Sequence, residues 1–346
     1  MDSIKRTIHR HRQAGRPKDP SSLQELRTEG EWTMTSGSDP HPFLIHDSEI
    51  EARNRIIMFA TEEGLRYLED SDTWYMDETF TCAPSLFEQP CIIRAPLGES
   101  RVSCVYAFLP GKSRDIYEEM LTAVHDKGEE LGFYMDVTTT ITDFEQAALN
   151  AFSNKLGPHV NAKACFYHLT QSTWQKIQSL GLSNGYKEDD DIKRFSGMLD
   201  GLAFLPVDRI SDGIDYIKDN TPDGLDLVDY FDANYVTVTY RRISQTRQIS
   251  RSCDNASAED SSIIPTREME FTIDNEYHTN NLCENWNHGF QQLVGYSHPT
   301  IWTAIECIRK NAAIVSMHLT LDARGQPLQN RVRRETRDLQ KRLRNL

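Results

Sequence analysis

The chain has 346 residues, 38% hydrophobic and 26% charged, with a formal net charge of −14 at pH 7. A mean hydropathy of −0.58, no apolar run near the roughly 18–20 residues of a membrane span, and no apolar signal core at the N-terminus argue against a membrane or secreted protein. The length suits one large domain with an insertion, or two domains.

Seven cysteines, an odd number scattered over a long chain, point to reduced thiols in an intracellular compartment rather than a disulfide scaffold. The acidic balance argues at first against nucleic acid, but a polyanion feels the local field. Both ends are basic: Arg16 and Lys18 stand among six cations at the start, and Arg333 and Arg334 among seven at the finish. Two readings stand for these ends, a solvated tail and a phosphate-binding patch.

Residues 1–45 are polar and rich in turn formers, and read as a basic arm; Gly15-Arg16-Pro17-Lys18 has the look of a minor-groove hook. Ile56–Phe59 is a short strand candidate. Thr61 is placed to cap a following helix that starts with Glu62 and Glu63. From 73 the pattern turns to strands. Thr73–Phe80, Cys91–Ala95 and Val102–Leu109 form three short runs separated by loops near Pro84 and Gly98, an antiparallel meander. Arg114–Leu131 has helical spacing through Ile116, Met120, Val124 and Leu131. Val137–Thr142 is a β-branched strand, Phe144–Phe152 a short helix, and Val160–Phe166 a further strand. Three strands, helix, strand, helix, strand is the order of a ribonuclease H-like α/β fold.

From about 169 the chain reads as mainly helical, over Leu169–Leu180, Asp191–Leu202 and Ile210–Asp219. Tyr235–Tyr240 alternates like a strand and Ser244–Pro265 like a loop. Helices over Asn281–Val294 and Thr300–His318 follow. The expected organisation is an arm over 1–45, a first part of the core over 46–180, a mainly helical insertion over 181–270, a closing part over 271–320 and a basic tail over 321–346.

Three acids stand in distinctive phrases: Trp74-Tyr75-Met76-Asp77-Glu78-Thr79-Phe80, Ile141-Thr142-Asp143-Phe144-Glu145, and Asn280-Asn281-Leu282-Cys283-Glu284-Asn285-Trp286. Asp is disfavoured inside strands, so Asp77 is either a solvent-facing residue of a half-buried strand or a functional one. Thr142 and Glu145 fit a capping box, which would make Glu145 structural. Asp143 falls at the C-terminal end of a strand, where sites on α/β sheets gather. Glu284 lies opposite the apolar stripe of Leu282, Trp286, Phe290 and Leu293, a face that meets either solvent or a cleft. Two strand aspartates and a helix glutamate can converge on two divalent cations about 3.5–4 Å apart, the arrangement of nucleases. Cys165-Phe166-Tyr167-His168 is half of a zinc-site spacing, with no clear second pair; a packed Cys and a polar His near the cleft is the plainer account.

In order along the chain, these phrases resemble the MULE domain, the catalytic core of Mutator-like transposases in the DDE superfamily. Lys112, Cys165-Phe166-Tyr167-His168-Leu169-Thr170-Gln171, Leu202-Ala203-Phe204-Leu205-Pro206, Thr279-Asn280-Asn281 and His298-Pro299 also carry the likeness. It runs from about Arg55 to His318. It implies a ribonuclease H-like sheet with a helical insertion before the last acid. It further implies two Mg²⁺ or Mn²⁺ ions held by Asp77, Asp143 and Glu284, DNA ends and target DNA as partners, and a nuclear location. The chemistry implied is phosphodiester hydrolysis followed by strand transfer. A homodimer is left open. Glu78 stands where the family usually has Gly, His278 where it often has Arg, and Asn287 where it often has His. Residues 1–72 contain no cysteine for an upstream zinc-binding recognition domain, so a truncated copy, or a non-catalytic DNA- or protein-binding nuclear factor of transposase descent, is the alternative.

Overall fold

The computed structural model describes residues 16–78, 83–98, 100–143, 145–221, 227–233 and 290–326. The chain divides into two units, Met1–Cys165 with Asn275–Leu346, and Phe166–Asp274.

Among the described residues the first unit is built on a mixed seven-stranded sheet in the order β1-β2-β5-β4-β3-β6-β7. The strands are β1 (Leu44–Asp47), β2 (Ile57–Ala60), β3 (Thr73–Glu78), β4 (Gln89–Leu97), β5 (Ser100–Leu109), β6 (Thr139–Thr142) and β7 (Asn161–Ala164). β3, β4 and β5 form the expected antiparallel meander, while β6 and β7 join β3 in parallel. This alternation of strands and helices, with the sheet flanked by helices, is consistent with a ribonuclease H-like fold. β1 and β2 widen the sheet beyond β5.

Alternation along the strands sorts the two faces. Trp74, Met76, Ile93 and Cys104 point into one core. It is closed by α1 (Glu62–Glu69), α2 (Arg114–Leu131) and α3 (Gln146–Lys155) through Leu65, Met120 and Ala148. Ile57, Phe59, Ile92, Tyr106 and Phe108 point into the other, under α9 (Ile301–Ala323). Thr61 caps α1, its hydroxyl accepting from Gly64 N–H. At the end of α2, Gly132 takes φ 80°, a left-handed conformation open to glycine at little cost. Phe133 N–H then donates back to Gly128 at 2.8 Å.

From Arg16 onward, the segment read as a polar arm instead supplies core. Leu26, Trp32 and Phe43 are buried among the α9 cluster, and Trp32 packs on Trp302 at 4.8 Å between ring centroids. Its composition is polar because only those few side chains face inward. Residues 290–294 are helical, with Phe290 and Val294 in the same core; the rest of the expected 281–294 helix lies outside the described residues.

The described part of the second unit is helical: α4 (Phe166–Ser179), α5 (Ser183–Glu188), α6 (Asp190–Gly201), α7 (Ile210–Asp219) and α8 (Leu227–Phe231). Phe195, Leu199, Ile214, Ile217 and Phe231 are buried. The acidic run at 188–191 serves a local purpose, since the Asp189 side chain accepts from the N–H groups of Asp191 and Ile192 at the start of α6. Asp200 on α6 is desolvated, which pushes its carboxyl up to about 6 against the opposing pull of a hydrogen bond from Thr173. The expected strand over 235–240 and loop over 244–265 lie outside the described residues. No helix among the described residues is long and apolar enough to cross a membrane.

Candidate active site

β3 is the strand on which the sheet changes sense. It pairs antiparallel with β4 on one side and parallel with β6 on the other. Its inward alternation leaves Tyr75 and Asp77 on the face opposite Trp74 and Met76. Beside β4 this is the aromatic face, since Asp77 lies opposite Ile92.

Asp77 is only 2% exposed, so it does not face solvent as the plainer reading of the strand had it. Burial of a carboxylate demands a compensating charge or donor. Arg94, itself 1% exposed, brings Nη1 to 3.8 Å from Asp77 Oδ2. That is an ion-pair distance rather than a hydrogen bond. Arg94 reaches Asp77 because it opposes Tyr75 across the β3–β4 ladder, just after a register irregularity at Ile93 and Arg94. Arg101 adds a second cation on this face, its guanidinium 3.6 Å from the centroid of the Tyr75 ring. A charge inside the apolar run Cys91-Ile92-Ile93-Arg94-Ala95 was the available sequence signal for Arg94.

Parallel pairing of β3 with β6 matches Thr73 with Thr139, Trp74 with Thr140 and Tyr75 with Ile141. Two residues further on each strand, Asp77 and Asp143 fall side by side on one face. A carboxylate oxygen of each lies within 4.8 Å of the other. β7 continues the row: it pairs Thr142 with Ala164, and Cys165 N–H donates to the Thr142 carbonyl at 2.8 Å. Cys165 is a free, half-buried thiol next in the row after Asp143. His168 belongs to the first turn of α4, which opens the second unit.

The capping box expected at Thr142 and Glu145 is not formed. Thr142 is still strand, with its hydroxyl oxygen buried and making no hydrogen bond among the described residues. Glu145 itself is the N-cap of α3, in an extended conformation and without a side-chain capping bond. Its carboxylate accepts instead from Lys112 Nζ at 2.8 Å. Glu145 therefore holds a distant loop, between β5 and α2, against the start of α3, two residues beyond Asp143.

Glu284, Asn280, Asn281, Arg333 and Arg334 lie outside the described residues. Arg16 has internal partners. Its Nε and Nη2 donate to the Glu306 carboxylate and its Nη1 to Thr303 Oγ1, the last at 2.8 Å. Lys18 is exposed, and its carbonyl accepts from Trp302 Nε1 at 3.3 Å.

Two carboxylates this close repel each other unless a cation or proton sits with them. Hard oxygen donors of this kind suit Mg²⁺ or Mn²⁺ better than a softer metal.

The MULE transposase domain family model matches residues 73–172. The match starts with β3 and ends within α4. It takes in Asp77, Asp143, Cys165 and His168, and is narrower than the resemblance traced over 55–318. No curated protein matches the chain. The match supports a transposase-related function.

Proposed function

We propose that this protein is the catalytic domain of a Mutator-like DDE transposase, cutting DNA and joining strands with two divalent cations. The observation that carries the reading is the side-by-side placement of Asp77 and Asp143 at the ends of adjacent parallel strands, inside the segment that matches the family. Asp77 and Asp143 would hold Mg²⁺ or Mn²⁺, with Glu284 as the third ligand that the resemblance supplies. When bound, such cations activate the attacking oxygen and stabilise the leaving oxygen of a phosphodiester. The chain's own part is to present two anionic oxygens, one from within β3 and one just past the end of β6, with Arg94 balancing the buried charge of Asp77. A mainly helical insertion between Asp143 and Glu284, DNA as the substrate and a nuclear location belong to the same proposal.

The test is nicking of supercoiled DNA in Mn²⁺ by the protein fused to a DNA-binding domain. Wild type should cleave, and Asp143→Asn should not. Equal activity in both would trace the cleavage to a contaminant.

A second reading, a non-catalytic factor of transposase descent that binds DNA or protein, draws on Glu78 in place of the family's Gly and on the net charge of −14. It predicts a folded wild type with no cleavage in either Mg²⁺ or Mn²⁺.

A further inference from the structure

We infer that Lys112 and Glu145 form a positioning pair for Asp143, setting the affinity of the acid pair for its cation without touching it. The inference rests on the metal-binding reading of Asp77 and Asp143. Asp143 is not within a strand. It directly follows β6 and stands two residues before Glu145, the N-cap of α3. Asp77, in contrast, is fixed inside a paired strand.

Glu145 makes no capping bond to its own helix. Its carboxylate is turned to Lys112, and both side chains are partly shielded, 30% exposed for Lys112 and 19% for Glu145. Lys112 sits in the short link between β5 and α2. Both of its flanks are rigid: β5 is buried in the sheet, and α2 packs on α3, where Asn154 donates to Glu118 at 3.1 Å. The ion pair therefore ties the start of α3, two residues beyond Asp143, to a fixed point of the fold, as outer partners orient the ligands of a metal site.

Charge and position can be separated. Removing Lys112 alone leaves Glu145 uncompensated and draws cations in. Removing Glu145 alone leaves a lysine that repels them. The double variant Lys112→Met with Glu145→Gln keeps the net charge and breaks the tether. The exchange Lys112→Glu with Glu145→Lys keeps the net charge and restores it.

The experiment is Mn²⁺ binding to the full chain, followed by electron paramagnetic resonance of the free ion, with a thermal melt of each variant. Asp143→Asn serves as the site control. Wild type should bind at least tenfold tighter than the neutral double variant, within the roughly 10–100-fold range for outer partners. The exchanged pair should recover most of that loss. If Asp143→Asn binds as wild type does, the metal site itself is misassigned and both readings fall. If Asp143→Asn weakens binding but the neutral double variant matches wild type, the metal site stands and the positioning role is overturned. A double variant that melts earlier yet binds Mn²⁺ normally overturns it too, because the pair would then be structural only. Failure of a folded exchanged pair to recover affinity also overturns the inference.

Discussion

On one side of β3 the sheet runs antiparallel through β4, β5, β2 and β1; on the other it runs parallel through β6 and β7. In the antiparallel wing β4 and β5 are nine and ten residues long and β2 is buried at every position. In the parallel wing the strands have four residues each, Thr-Thr-Ile-Thr and Asn-Ala-Lys-Ala, and β6 is buried only at alternate positions. A broad apolar wing can hold the fold while a short polar one presents polar side chains at its strand ends. Parallel strands also bring equivalent positions of neighbouring strands to the same end, which antiparallel strands do not. Asp77, on the shared strand, belongs to both wings.

The largest effect should separate the wings by stability. Phe59 of β2 is fully buried between Phe43 and Phe108, with centroids at 5.3 and 6.2 Å. Phe59→Ala should cost about 3–5 kcal/mol in a denaturant titration. Ile141 of β6 is half-buried on the face of the acids. Ile141→Ala should cost only about 1 kcal/mol, near the centre of ordinary substitutions. Equal losses would mean that the parallel wing bears as much of the fold as the antiparallel one.

The second effect separates the two acids. Asp77 and Arg94 are both buried, 3.8 Å apart, so Asp77→Asn removes a negative charge that offsets the guanidinium in the interior. It should destabilise the metal-free protein by about 3 kcal/mol. Asp143 is only partly buried and is repelled by Asp77. Asp143→Asn should leave the metal-free melting temperature unchanged or raise it. Both substitutions should abolish Mn²⁺ binding. A pair of variants with matching melts would show that Arg94 does not depend on Asp77.

Much of this division was legible in the sequence, and the gaps have physical causes. The succession of strands from β2 to β7, the helix Arg114–Leu131 and the Thr61 cap follow from apolar spacing and turn chemistry, which are local; β1 was not legible. The pairing of Asp77 with Arg94 was hidden because it depends on cross-strand register and an irregularity at Ile93. Thr142 and Glu145 misled because a capping box and a strand ending before an acidic turn share the same letters. The difference is made by Lys112, 33 positions earlier. Segment 16–43 read as an arm because only a few of its side chains, Leu26, Trp32 and Phe43 among them, face inward.

The third effect is a pH response from the apolar cover of the wing junction. His125 on α2 faces the Trp74 ring of β3, with centroids at 6.3 Å. Desolvation lowers its pKa below the ordinary 6.5, and Asp126 opposes this only in part. The folded state thus binds this proton less readily than the unfolded chain. Its full stability is present above about pH 6.5 and declines as pH falls below that value, until the folded form also protonates. His125→Leu should remove this decline. Melts of both proteins from pH 7.5 to 5 should diverge only toward acid; parallel curves would show that the imidazole is already solvated in the native state.

The smallest effect should come from the strand end beside Asp143. Thr142 is fully buried, and its hydroxyl makes no hydrogen bond among the described residues. A buried hydroxyl without a partner forgoes the bonds it makes to water in the unfolded chain. Valine has nearly the same shape and keeps the β-branching that suits a strand. Thr142→Val should therefore be neutral or stabilising by up to about 1 kcal/mol. Its backbone carbonyl, which accepts from Cys165 N–H, is untouched, so the row of Asp143 and Cys165 should keep its register and Mn²⁺ affinity should not change. A loss of more than about 1 kcal/mol would reveal a hydrogen bond to the hydroxyl. The parallel wing would then be held by a buried polar contact, and its contrast with the antiparallel wing would lie in the kind of bond rather than in how little holds it.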